Sequence, residues 1–257
     1  MVTFGDLGVS GILLDRLTYN GFTEPTEIQQ KTIPFGLQHR DVIGSAQTGT
    51  GKTLAFLVPV LNNIINSNNG IALIIEPTRE LAQQVIRIAN RVVTRGIFNI
   101  LLIGGESYDR QIQGLKRNPR IIIGTPGRII DHIGRKTLRL DSCHSLVLDE
   151  TDRMFDMGFR IQLEKIFDEL PEKRQTFMFS ATFPKDIEQM AIQRLHDPAK
   201  VFVQPNESAN KVADNLVQET VKLSENEKYG ELIRQIEKRD GSIIVFVKTK
   251  LGTERLS

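Results

Sequence analysis

The sequence predicts an α/β fold, a mostly parallel sheet covered by helices on both faces, and three observations lead there. Short apolar runs alternate with helical patterns almost without interruption between residues 41 and 203. The runs are continuous in Ile, Leu and Val, as strands buried on both faces require. The first run ends in Gly49-Thr50-Gly51-Lys52-Thr53 and a helical pattern follows at once. That is where open α/β sheets receive phosphates.

The elements follow in order. Residues 41–45 form the first strand, and residues 54–66 the helix beyond the glycine-rich turn. Residues 71–76 make an apolar strand, and Pro77-Thr78-Arg79 hands the chain to a helix over 79–94. A strand at 97–103 meets Gly104-Gly105 before a helix at 110–116. Residues 120–123 are a short apolar strand, and Thr125-Pro126-Gly127-Arg128 leads into a helix over 127–134. The strand at 145–148 ends in two acids, and a helix follows at 161–169. Residues 176–179 form a strand, Pro184 starts a helix over 185–195, and residues 200–203 close the first domain, residues 1–203. The polar stretch after Val203 reads as a linker over 204–214. Residues 215–257 supply an extended stretch at 216–222, a helix at 227–238 and a strand at 242–247. One strand–helix–strand unit cannot bury both faces of its sheet, so this part reads as a second domain cut short.

Composition narrows the partners. With 33 Lys and Arg against 31 Asp and Glu, the net charge is only +2. Nucleic acid would therefore meet a local basic surface. Cys143 is alone and sits beside a strand, which suits a buried core thiol in a reducing compartment. The four histidines are scattered, without zinc-ligand spacing. No apolar run approaches the ~20 residues of a membrane span, and no signal pattern opens the chain. The expected location is cytoplasmic, with no membrane partner.

The chemistry gathers at strand ends. Backbone N–H groups of the glycine-rich turn face phosphates, Lys52 reaches the β/γ oxygens, and the Thr53 hydroxyl completes a Mg²⁺ shell. Where the general loop pattern begins with glycine, this chain has Ala46. Asp149, expected at the tip of a strand beside the phosphate-loop strand, can hold Mg²⁺ through its waters. Glu150 can orient and deprotonate an attacking water. Gln29 carries donor and acceptor on one amide and can pair with the adenine edge. Phe22 suits either base stacking or the core. The Thr78-Arg79, Gly104-Gly105 and Thr125–Arg128 segments offer N–H groups and positive charge to the phosphates of a single strand. Each, taken alone, is also ordinary turn and capping chemistry.

Asp149-Glu150-Thr151-Asp152 closely resembles the Asp-Glu-Ala-Asp box of the DEAD-box RNA helicases. Residues 21–29, with Phe4 upstream, resemble their Q motif, and residues 46–53 resemble their phosphate loop, Ala46 included. Residues 77–83, Gly104-Gly105, residues 125–128 and Ser180-Ala181-Thr182 follow in the family's order, and residues 244–247 resemble the first signature of its second domain. The resemblance covers essentially the whole chain. It implies a RecA-like P-loop NTPase domain followed by a truncated second RecA-like domain, with ATP and Mg²⁺ as cofactors and RNA as a partner held without regard to sequence.

The resemblance also implies roles. Phe22, Glu24, Gln29, Ala46, Gln47, Thr48, Gly49, Thr50, Gly51, Lys52 and Thr53 would bind the nucleotide, with Phe22 stacking on the base. Thr53 and Asp149 would hold the metal. Lys52, Asp149 and Glu150 would carry catalysis, with Ser180 and Thr182 coupling the metal-site carboxylates to the nucleic-acid surface. Pro77, Thr78, Arg79, Gly104, Gly105, Thr125, Pro126, Gly127 and Arg128 would contact RNA. Thr151 replaces the family's alanine and is expected to crowd the bonds to Ser180 and Thr182. The family's later signatures, with arginines worth ~10³–10⁵ in turnover, do not occur in these residues. The chain by itself is expected to bind ATP and turn it over poorly. The rival reading is an ATP- and RNA-binding module without catalysis.

Overall fold

The computed structural model describes residues 2–9, 11–45, 49–66, 70–94, 96–203 and 219–256. Contacts divide the chain into two compact units, residues 1–206 and 207–257. The expected linker, 204–214, lies outside the described residues.

In the first unit the apolar runs become seven strands. They are β1 (Val42–Ser45), β2 (Ile71–Ile75), β3 (Asn99–Leu102), β4 (Ile121–Gly124), β5 (Cys143–Leu148), β6 (Gln175–Ser180) and β7 (Ala199–Phe202). All pair parallel, in the order β3-β4-β2-β5-β6-β1-β7. Central strands such as β4 and β6 are buried at every position, whereas the edge strands β3 and β7 alternate in burial. A strand covered on both faces needs apolar residues throughout; an edge strand has an open side.

Helices cover both faces. On one side lie α1 (Gly11–Tyr19), α2 (Glu27–Leu37), α3 (Lys52–Asn66) and α4 (Arg79–Val92). Their apolar faces meet Ala72, Ile74, Ile121, Ile123, Val147, Phe177 and Phe179. The intervening strand residues, Leu73, Ile75, Ile122, Leu146, Leu148 and Met178, point to the opposite face. There they meet α6 (Pro126–Gly134), α7 (Thr151–Asp156), α8 (Arg160–Asp168) and α9 (Lys185–Arg194). The remaining helix, α5 (Tyr108–Leu115), follows β3. Each buried Ile, Leu or Phe contributes roughly 1.5–3 kcal/mol, so the two cores fix the sheet rigidly.

Polar groups tie the far ends of the strands. Buried Asp41 accepts the backbone N–H of Thr176 and of His196, both at 2.7 Å. Cys143 is fully buried; burial pushes its thiol up to about 12, which leaves it a core residue. No helix among the described residues is long and apolar enough to cross a membrane.

Among its described residues the second unit holds two helices, α10 (Lys228–Glu237) and α11 (Lys250–Leu256). The expected strand at 242–247 does not form: these residues enter no ladder, with Ile244 79% and Phe246 91% exposed. Apolar β-rich residues become a strand only with a neighbour to pair, and no strand is found among the described residues of this unit.

Candidate functional site

Because the seven strands run the same way, the carboxyl ends of β1, β2, β3, β4, β5 and β6 lie along one edge of the sheet. Ligands of open α/β sheets bind there. A cavity of about 440 Å³ lies over this edge, and its lining includes Lys52, Glu76, Asp149 and Glu150.

Lys52 is the first residue of α3 and only 6% exposed, and its Nζ lies 3.2 Å from Asp149 Oδ1. The same Oδ1 accepts the N–H of Glu150 at 2.9 Å. The expected strand neighbourhood needs correction, since β6 separates β5 from β1. Lys52 closes the gap because it projects from α3 rather than from the strand.

The turn before α3 needs its glycines. Gly49 and Gly51 have φ of 90° and 97°, the left-handed region that glycine enters without strain. A Cβ on Gly51 would also lie 2.6 Å from Gln29 Nε2 and 2.8 Å from Thr26 Oγ1. Thr53 lines the cavity beside Lys52. Ala46, Gln47 and Thr48 lie outside the described residues.

Gln29 is buried and locks the loop to the segment before α2. Its Oε1 accepts the Thr26 N–H at 3.0 Å, and its Nε2 donates to Gly51 O at 2.9 Å. A carboxamide has two donors and two lone pairs, so one of each remains. Phe22 and Glu24 line the same cavity. One face of Phe22 carries the Arg91 guanidinium, 5.0 Å from the ring centre. Val85 and Ile88 of α4 add an apolar wall that the sequence reading did not include.

Around Lys52 stand three carboxyl groups. Glu76 is 1% exposed and its Oε1 has no hydrogen-bond partner. Burial, then the nearby Asp149 and Glu150, push its carboxyl well above the usual range. Burial also raises Asp149, with Lys52 opposing. The sequence signal for Glu76 was an acid ending a wholly apolar run, residues 71–75. Glu150 takes φ of 49°, which for a residue other than glycine stores about 1–3 kcal/mol of strain. Its carboxylate is 3.2 Å from Arg153 Nη1, a partner the sequence reading also missed.

The acidic turn continues into the next strand end. Asp152 N–H donates to Ser180 Oγ at 3.1 Å, and Ser180 Oγ donates to Thr182 O at 2.7 Å. Asp152 Oδ2 accepts both the N–H and the hydroxyl of Thr182 at 2.9 Å. Burial alone would raise Asp152, yet these bonds hold its carboxyl below the usual range. Thr151 does not crowd them: its hydroxyl turns inward and donates to Phe179 O at 3.0 Å.

A groove on the same edge is lined by Thr78, Arg79, Gly104, Thr125, Gly127 and Arg128, so the three expected segments meet. A Cβ on Gly105 would lie 2.4 Å from Arg79 Nη1, so the Gly104-Gly105 backbone supports this guanidinium. Thr78 Oγ1 accepts the Leu81 N–H at 3.3 Å and caps α4, whereas Thr125 makes no such cap bond on α6. Pro77 and Pro126 are buried and shape their turns. Met157 and Phe159 form an apolar rim that the sequence reading left out. Segment 76–81 separates the two cavities: Glu76 and Leu81 face the first, Pro77 to Glu80 the groove.

Behind the groove, Arg128 Nη1 donates to Gln111 Oε1 at 3.3 Å, and Gln111 Nε2 donates to Ile103 O at 2.9 Å. Buried His132 joins through Nε2, 3.1 Å from Gln111 Oε1, and stacks on Tyr108 at 4.4 Å. Burial, then Arg128, lowers His132 from 6.5 to about 4. The unfolded chain therefore takes up a proton first, so this stability is present above pH 6.5 and lost as pH falls toward 4. The loss is up to about 3 kcal/mol. Urea unfolding at pH 7 and pH 4.5 should show a smaller acid loss for His132→Asn than for the parent chain. Equal losses would mean that His132 is protonated in place.

The sequence model described as DEAD/DEAH box helicase matches residues 26–190. The DEAD-box ATP-dependent RNA helicase CshA of Geobacillus kaustophilus is 41% identical over 260 residues, covering 100% of this chain and 55% of its own length. The ATP-dependent RNA helicase CshA of Listeria monocytogenes is 42% identical, with 100% and 49% covered. The chain thus spans about half the length of the curated relatives it matches. The crystal structure of a DEAD box protein from the hyperthermophile Methanococcus jannaschii superposes with a TM-score of 0.75 at 36% identity, covering 100% of this chain and 69% of the other.

Proposed function

The chain belongs to the DEAD/DEAH box helicase family, and we propose that it is the ATP-binding half of an ATP-dependent RNA helicase that couples RNA-stimulated ATP hydrolysis to local duplex unwinding. The observation that carries this reading is the placement of an acid–lysine cavity and a glycine–arginine groove on one sheet edge, separated only by segment 76–81. Asp152, Ser180 and Thr182 hydrogen-bond one strand end to the next beside the cavity. A change in one cavity has a short path to the other.

In this reading Lys52 exchanges Asp149 for the β/γ-phosphates, a favourable trade only when phosphate charge arrives. Glu150 accepts the proton of the attacking water. The oxygen donors Thr53 and Asp149, with the orphaned Oε1 of Glu76 nearby, fit a hard cation. Thr53 and Asp149 would hold Mg²⁺, which when bound neutralises phosphate charge. Gln29 offers its free donor and acceptor to the adenine edge, and Phe22 its uncovered face. Arg79 and Arg128, with the backbone of Gly104, Gly105 and Gly127, contact RNA phosphates, so binding ignores base sequence. The place of work is the cytoplasm.

Calorimetric titration of the purified chain with ADP and GDP tests the pocket. ADP should bind at least about tenfold more tightly, the equivalent of ~1.4 kcal/mol, and Gln29→Ala should remove most of that preference. Equal binding of the two nucleotides would overturn the adenine assignment.

A further inference from the structure

Glu76 is costly to place where it is. Glu76 is 1% exposed, Oε1 has no partner, and two carboxyl groups whose charge opposes its ionisation, Asp149 and Glu150, face the same cavity. Among the described residues that line this cavity Lys52 is the one cation, and it is committed to Asp149 at 3.2 Å. A buried acid with an orphaned oxygen facing like charges is relieved by taking up a proton, or by something that enters the cavity and brings positive charge or hydrogen-bond donors. The apolar strand it terminates would pack equally well with an uncharged residue.

We propose that Glu76 is a third carboxyl of the nucleotide pocket, a positioning residue that holds water molecules around a divalent cation bound beside Asp149. Among the described residues no three His, Cys, Asp or Glu side chains converge as a direct metal cage, so Glu76 acts through water. A small divalent cation that keeps most of its waters suits this arrangement. Such outer partners commonly govern metal affinity tenfold or more. Glu76 also sits one residue before the segment whose other side faces the groove, so ordering its carboxyl would steady the start of α4.

The inference rests on the nucleotide-pocket reading, and the test separates the two. ADP affinity of the full chain is measured with EDTA and with Mg²⁺, for the parent and for Glu76→Gln and Glu76→Ala, and Mn²⁺ binding is followed directly by its paramagnetic resonance. The ratio of affinities with and without Mg²⁺ should fall about tenfold in both variants, and Mn²⁺ should bind correspondingly more weakly. Nucleotide-free melting temperatures should hold or rise, as when an unpaired buried charge is removed for stability at the expense of function. Failure of ADP to bind the parent chain would sink the pocket reading itself. Normal ADP binding with an unchanged Mg²⁺ ratio, or a melting temperature lowered in both variants, would overturn the role given to Glu76 alone.

Discussion

Lys52→Ala should unfold the first unit at a markedly lower temperature as well as abolish nucleotide binding. The ammonium is the partner of Asp149 at 3.2 Å, and both side chains are less than a tenth exposed. Removing one member of a buried pair leaves an uncompensated charge, typically about 3–5 kcal/mol of destabilisation. Here Asp149 would also face Glu76 and Glu150 without a cation, although uptake of a proton limits the loss. For a domain of this size about 3 kcal/mol corresponds to roughly 6–12 °C in melting temperature. The double substitution Lys52→Met with Asp149→Asn should regain most of that stability, because neutral, similarly shaped groups replace the pair. It should not regain ADP binding. Calorimetric melting with parallel ADP titration reads both effects. A Lys52→Ala melting temperature within about 2 °C of the parent would show that the pair contributes little and that phosphates need not break it.

The fold was readable where burial on both faces leaves a one-residue signature. Continuous runs such as Ile121-Ile122-Ile123 and the Gly51-Lys52-Thr53 helix start name their own elements. The order of strands was not, because it depends on pairing between distant segments; hence the intrusion of β6 between β5 and β1 went unseen. The expected strand at 242–247 failed for the converse reason: local β preference is present but has no neighbour. In the site, Lys52, Asp149, Gln29 and the three groove segments announced themselves by spacing. Glu76 did not, since one acid at a strand end looks like any helix approach. Arg153 was hidden because an i,i+3 ion pair needs the backbone turn that Glu150 makes at φ 49°. Thr151 was misjudged because sequence shows an added hydroxyl but not that Phe179 O stands ready to accept it.

Glu150→Gln should remove RNA-stimulated ATP turnover while leaving the nucleotide pocket intact, in a protein where this chain is joined in cis to the second helicase domain of a relative. Glu150 is 8% exposed, lines the cavity beside Lys52 and Asp149, and is delivered there by a strained left-handed backbone. Strain of this kind persists where the surrounding structure enforces it, and it clusters at functional sites. Glutamine keeps the shape but cannot accept a proton from water. A positioned general base contributes ~10²–10⁴ in rate, equivalent to about 3–5 kcal/mol of barrier. ATP affinity should hold or rise, because one negative charge leaves a cavity already crowded with Glu76 and Asp149. Arg153→Ala frees the same carboxylate from its ion pair at 3.2 Å, so it should lower turnover about tenfold or less. An ion pair to a half-exposed arginine positions the base but does not replace it. Rates of hydrolysis with and without single-stranded RNA, with ATP affinity measured in parallel, decide the matter. Turnover by Glu150→Gln within about threefold of the parent would move the proton acceptor to another group. Glu76, another acid facing that cavity, would then be the first to substitute.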